Sequence, residues 1–303
     1  MSDLNLRDFL THFGTTAKCL DFIRRQRWPD GIPCKKCERV TGHHLIEGRK
    51  CYSCQECGSH VHPTAGTLFH KSRVPLPDWF FVIWQFSKTR AGFSAKQVER
   101  EIGVSYPTAL RMCNLIRERL GETPTLSGVV EADETYIGGA PRYKGQNRRR
   151  SWEEKVAVVG VVQRGGSVRA WAVPFVRSLT VLPLIEGTVE EGATVYTDES
   201  GVYNRLSERG YTHSTVKHRK LQYVREEVDE ETGEIRSVHT NSIEGFWSYP
   251  KSAILRIHRG VSRDKMQGYL DEHTFRYNHR NDDEGLFGAM VSRMTTPTPS
   301  LAA

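Results

Sequence analysis

Two Cys-x-x-Cys pairs, Cys34/Cys37 and Cys54/Cys57, are separated by the 16 residues 38 to 53, and they constrain the fold more than any other feature. Each pair sits on a tight knuckle, one behind Ile32-Pro33 and the other ahead of Gly58, so four thiolates can converge on one tetrahedral Zn²⁺. A segment this short has little core of its own, so metal binding would supply much of its folding energy. Four filled positions leave none for a substrate, and the expected zinc is structural. Cys51 is a rival ligand that breaks the two-residue spacing. Cys19 and Cys113 fall in helical segments and read as buried thiols. His60, His62 and His70 are alternative donors, although exposed loop histidines are the commoner reading. The odd total of seven cysteines points to metal and not to disulfides.

The surrounding chain is long enough, at 303 residues, for more than one core. Its longest apolar runs, Trp79 to Trp84 and Val156 to Val162, are too short to span a bilayer. The opening Met1-Ser2-Asp3-Leu4 lacks a basic stretch leading into an apolar one, so the expectation is a cytoplasmic, nucleoid-associated protein without a membrane partner. The net charge of +7 is unevenly spread: residues 1–120 carry +8 and the remainder −1. A basic half joined to a nearly neutral one suits polyanion binding at one end and another task at the other.

Periodicity predicts helices over 5–13, 16–26, 76–88, 94–102 and 106–120, then a linker at 121–128. Strands are expected at 129–137, 156–162, 167–173, 193–197 and 211–216, with helices at 179–187 and 201–208. A charged loop at 218–238 and helices at 241–255 and 262–279 follow, with Pro250 able to kink the first. The expected fold class is α+β / α/β. Residues 1–66 form N-terminal helices and a zinc ribbon, and 67–124 a helical region with a helix-turn-helix. Residues 125–285 form a mixed-sheet core covered by helices, and 286–303 a tail. The stretch from Asp282 to Ala303 is expected to be loosely ordered.

Within the second segment, Ser94 is placed to cap one helix, Gly103-Val104-Ser105 forms a turn, and Ser105 caps the next. Apolar Val98, Ile102, Val104, Leu110 and Ile116 take the packing positions of a helix-turn-helix. The second helix would bring Tyr106, Thr108 and Arg111 to base edges or phosphates. An ordinary helical hairpin is the alternative.

Three carboxylates stand out in the second half. Asp133 lies inside a predicted strand, Asp198 ends another, and Glu244 lies early on a helix. Such groups are costly to bury without a compensating cation, and hard carboxylate oxygens suit Mg²⁺ or Mn²⁺. Together they can hold two ions, and Lys251, two helical turns beyond Glu244, can grip a DNA phosphate. Glu131 and Glu134 are rivals for Asp133, and Glu199 is the rival for Asp198. Asn241, at the head of the same helix, is counted with the DNA contacts. So is the basic run Arg142 to Arg150, with Arg148, Arg149 and Arg150 as its strongest candidates.

These segments together resemble the ISXO-like DDE transposases of bacterial insertion sequences. The matching text is Gly66-Thr67-Leu68-Phe69-His70-Lys71-Ser72 with Pro75-Leu76-Pro77-Asp78-Trp79, and Val130 to Gly139. It continues through Tyr196-Thr197-Asp198, His239 to Ser248 with Lys251, and Phe275 to Arg280. The resemblance covers roughly 15–285 and implies an RNase H-like core with Asp133, Asp198 and Glu244 as the acidic triad. It also implies an enzyme that binds terminal inverted repeats, cuts DNA and transfers strands with two Mg²⁺ or Mn²⁺ ions, working as a homo-oligomer on double-stranded ends and target. Cys51, the acidic 225–234 stretch and the tail depart from the pattern. The rival expectations are a non-catalytic DNA-binding regulator derived from a transposase and a nuclease that cleaves without joining.

Overall fold

The computed structural model describes residues 4–89, 92–138, 155–217, 224–228, 235–282 and 285–298. They divide into two units, one built from the chain up to Leu120 together with the stretch from His279, the other spanning Gly121–Asn278.

The first unit opens with α1 (Leu6–Phe13) and α2 (Thr16–Arg27). Asn5 starts α1 because its carboxamide oxygen accepts the N–H groups of Arg7 and Asp8 at 2.8 and 3.0 Å. Five short strands follow. β1 (Pro33–Cys34) and β2 (Arg39–Val40) form a hairpin, and β3 (His43–Ile46), β4 (Cys51–Cys54) and β5 (His60–Val61) form an antiparallel sheet. Then come α3 (Leu76–Lys88), α4 (Ala95–Ile102) and α5 (Tyr106–Arg119). Aromatic rings make the core: Phe13 packs against Phe80, which stacks on Phe69, while Trp84 stacks on Phe9. Ser94 and Gln97 close a reciprocal capping box on α4, and Gly103 ends that helix with a left-handed φ of 70°. Ser105 precedes α5 without a side-chain bond to its backbone; its hydroxyl pairs with that of Thr108 at 3.0 Å.

The second unit holds β6 (Val129–Ile137), β7 (Val156–Gln163), β8 (Val168–Val173), α6 (Ser178–Glu186), β9 (Thr194–Thr197) and β10 (Thr212–Thr215). Its sheet has the order β10-β9-β6-β7-β8, with β6, β7 and β8 antiparallel and β9 and β10 parallel to β6. This is the mixed-sheet core expected from the sequence. β7 reads Val-Ala-Val-Val-Gly-Val-Val because it is buried on both faces. Ala157, Val159 and Val161 pack with Val181, Leu182 and Ile185 of α6. Val156, Val158 and Val162 pack on the opposite face with Ile243, Phe246 and Trp247.

Those last residues belong to α7 (Asn241–Ser252), which is followed by α8 (Met266–Asn278). Pro250 does not split α7; the chain continues helically to Ser252 and then loosens into a π turn at Ala253–Ile257. Two expectations are corrected. The anticipated loop at 218–238 contains a hairpin of β11 (Val224–Val228) and β12 (Ile235–His239). Its strands intersperse Val and Ile among Arg, Glu, Ser and His, and of their residues only Val238 is buried, which hid them in a polar stretch. The anticipated helix at 201–208 is two 3₁₀ turns, Gly201–Tyr203 and Ser207–Arg209.

The loosely ordered tail is the third correction. Gly285–Thr295 forms α9, which returns to the first unit. Phe287 packs against Phe13, and the carbonyl of Met294 accepts the N–H of Leu68 at 3.1 Å. Among the described residues, no helix is long and apolar enough to cross a membrane.

Candidate active site and metal sites

In the first unit, the Sγ atoms of Cys34, Cys37, Cys54 and Cys57 all lie within 4.8 Å of one another. Cys34 and Cys57 are 3.5 Å apart, and Cys37 and Cys54 4.0 Å. Sulfurs around a tetrahedral zinc at about 2.3 Å sit roughly 3.8 Å apart, so these four fit the ion as they stand. Hydroxyls support them: Ser59 lies 3.1 Å from Cys34 and 3.2 Å from Cys57, and Thr41 lies 3.2 Å from Cys54. The Ser59 hydroxyl also pulls the Cys34 thiol below its usual range, while the neighbouring Cys57 sulfur and burial push the Cys37 thiol up. Cys51 is buried outside the cluster, because it lies three positions before Cys54 on β4, an odd offset that turns it to the other face of the strand. Cys19 and Cys113 are buried free thiols, and none of the three histidines belongs to the cluster.

In the second unit, Asp133, Asp198, Glu244, Trp247 and Lys251 line one pocket of about 400 Å³. Asp133 sits in the middle of β6, Asp198 directly follows the neighbouring β9, and Glu244 is the fourth residue of α7. Glu244, Trp247 and Lys251 are spaced by three and four residues, so one face of the helix presents all three. The Trp247 indole donates to Asp133 at 2.9 Å. Asp198 accepts the N–H of Ser200 at 2.9 Å, and Glu244 accepts the Thr240 hydroxyl at 3.1 Å. Burial pushes the Asp133 carboxyl up to about 7; the Trp247 bond opposes this, and the nearby charges of Glu134 and Asp198 add to it. Three acids facing one polar pocket, one of them penalised for its charge, form a donor set suited to hard divalent cations. They are less tightly gathered than the cysteines, which among the described residues are the one group with ligand atoms all within 4.8 Å.

The rival acids take other positions. Glu131 is fully buried and accepts the N–H groups of Ser242 and Ile243 at 2.7 and 3.1 Å. It thereby caps α7 from β6, where the preceding Thr240 makes no side-chain cap. Arg164 balances its charge at 2.8 Å and reaches on to the carbonyls of Ser237 and His239. Glu134 accepts the Tyr203 hydroxyl on the α6 side of the sheet. Glu199 does not line the pocket.

Of the expected DNA contacts, Tyr106 and Arg111 are exposed on α5, with Lys96 placed 4.9 Å from the Tyr106 ring centre. Thr108 is half-buried. Val98 and Ile116 are buried, while Ile102, Val104 and Leu110 are half-buried. Asn241 is exposed at the first position of α7. Arg148, Arg149 and Arg150 lie outside the described residues. Sequence reasoning passed over Trp247 and Arg164, and weighed Glu131 only as a rival for Asp133. The spacing of Trp247 from Glu244 and Lys251 was the available signal for the first; nothing local marked Arg164 or the capping role of Glu131.

Residues 125–278 match the family model of the ISXO2-like transposase domain, and residues 14–60 match the transposase zinc-ribbon domain. With a zinc ribbon ahead of a mixed sheet and its acidic pocket, the chain is of the transposase class. It belongs to the ISXO2-like transposase family. No curated protein matches it.

Proposed function

We propose that this transposase binds the terminal inverted repeats of its element, cleaves the DNA ends and transfers the freed 3′-hydroxyl into target DNA. The observation that carries this reading is the convergence of Asp133, Asp198, Glu244 and Lys251 on a single pocket from β6, β9 and α7. The three carboxylates would hold paired Mg²⁺ or Mn²⁺ ions, which when bound activate an attacking oxygen and neutralise a leaving one.

The remaining work falls to the chain itself. Lys251 holds a DNA phosphate beside the scissile one by charge-assisted hydrogen bonds. Trp247 fixes one oxygen of Asp133 and leaves the other turned to the pocket. Glu131 and Arg164 hold the start of α7, and with it Glu244, against the sheet. Water attacks phosphorus, the bond to the 3′ oxygen breaks, and that oxygen leaves as the hydroxyl. In the second step the same hydroxyl attacks a target phosphate and displaces its 3′ oxygen, with no covalent protein intermediate. The RNase H-like core carries this chemistry. The zinc ribbon and the α4–α5 helix-turn-helix bind the ends, with Tyr106, Thr108 and Arg111 of α5 reading them, and Arg148 to Arg150 and Asn241 add backbone contacts. Two ends must be handled together, so the active form is a homo-oligomer on DNA.

The test incubates purified protein with DNA flanking its gene and Mn²⁺ or Mg²⁺. Metal-dependent nicks and joined products, absent with Asp198→Asn although end binding persists, are expected. End binding by the wild type with neither product would make the chain a DNA-binding regulator, and nicks without joined products a nuclease.

A further inference from the structure

The stretch Gly66–Ser72 has no part in the catalytic pocket, yet it helps to wall a second one within the first unit. This cavity of about 360 Å³ gathers Arg49, Lys50, His62, His70 and Lys71, with Phe69 and Leu76 among its apolar lining and no carboxylate. Arg49 and Lys50 come from the turn between β3 and β4 of the zinc ribbon, whereas His70 and Lys71 come from the loop before α3. Among the described residues, no acid forms a salt bridge with Arg49, Lys50 or Lys71. Three cations lining a concave wall raise a local positive potential that invites a polyanion.

The backbone supplies a second observation. Lys50 and Lys71 have φ of 50° and 52°, two of four non-glycine residues with positive φ among those described. Glycine or asparagine takes this left-handed conformation with less strain, so a long cationic side chain is held there against its backbone preference. Backbone outliers of this kind cluster at ligand-binding sites. His70 adds a donor. Its Nδ1 accepts the Gly66 N–H at 3.0 Å, which leaves the ring hydrogen on Nε2.

We propose that this pocket is a phosphate-backbone site for double-stranded DNA, in which Arg49, Lys50 and Lys71 neutralise successive phosphates and His70 donates a hydrogen bond. The proposal rests on the DNA-binding reading above and deepens it. The zinc ribbon, through this pocket, supplies sequence-independent grip, while α5 supplies sequence discrimination.

The test measures duplex binding by the full-length zinc-loaded protein against salt concentration. Arg49→Gln/Lys50→Asn/Lys71→Asn removes three charges, and asparagine keeps the left-handed backbone comfortable. The slope of log affinity against log salt should fall by about 2.7, so the variant escapes a roughly fortyfold affinity loss that wild type suffers between 50 and 200 mM salt. Terminal and unrelated duplexes should weaken alike, whereas Arg111→Ala should weaken terminal duplexes more. Lys71→Asn alone should lower the slope by about 0.9, which keeps the idea testable should the triple variant misfold. Unchanged slopes in a folded, zinc-bound variant that still binds DNA would overturn the pocket's role alone. Failure of wild type to bind any duplex would overturn the DNA-binding reading with it.

Discussion

Trp247 donates its indole N–H to Asp133 across 114 residues of sequence, tying α7 to the central strand of the sheet. The contact depends on a vacancy in the neighbouring strand. Gly160 pairs in register with Asp133, and a Cβ there would meet Cη2 and Cζ2 of Trp247 at 2.5 and 2.7 Å. Gly160→Ala should therefore push the indole off Asp133, costing about 1–3 kcal/mol of stability and most of the cleavage activity. Thermal unfolding and end-cleavage assays would measure both. Trp247→Phe removes the N–H but keeps an aromatic ring, and should reduce cleavage with a smaller loss of stability, about 1 kcal/mol.

Glu131→Gln should be costly although this acid stands outside the pocket. It keeps the shape of the side chain but leaves Arg164 without its anionic partner and weakens the bonds to Ser242 and Ile243. Breaking a largely buried pair in this way costs about 3 kcal/mol. Denaturant unfolding should register that loss, and cleavage should fall because Glu244 rides on the loosened helix. Wild-type stability and activity in the variant would remove Glu131 from its positioning role.

Asp133 makes stability depend on pH in the metal-free protein. Its folded pKa of about 7 lies above the unfolded value of about 3.9, so the native state binds more protons between the two. The contribution is fully favourable below pH 4, declines as pH rises, and is lost by pH 7 and above. Asp133→Asn should thus raise the thermal midpoint relative to wild type at pH 8 and change it little at pH 4. Melting curves in chelator at both pH values would check this; an equal shift at both would contradict it.

Cys54→Ser should lose zinc, unfold the ribbon first and abolish end binding. Zinc content by elemental analysis should fall from one ion per chain to nearly none. Cys51→Ser should leave zinc content unchanged, because Cys51 lies outside the four-sulfur cluster.

The cysteine pairs were legible because a metal site confines its signal to spacing, and the helix start at Ser94 because caps are local. Strand alternation and the apolar run of β7 gave the sheet. What escaped was set by distant partners. The tail helix is ordered because Phe287 meets Phe9 and Phe13 from the other end of the chain. The 224–239 hairpin buries too little to leave an apolar pattern. Glu131 and Asp133 are two residues apart on one strand and look alike in sequence. Only the approach of α7 gives one to the helix start and the other to the pocket.

The carboxylates of this pocket are proposed to bind the divalent ions of DNA cleavage. The most direct test replaces Asp198 by Cys and compares Mg²⁺ with Mn²⁺ in end cleavage, since a thiolate is a poor ligand for magnesium and a better one for softer metals. Asp198→Cys should be inactive in Mg²⁺ and recover cleavage in Mn²⁺ if the pocket holds the ions. Cleavage at the wild-type rate in Mg²⁺ would contradict that role.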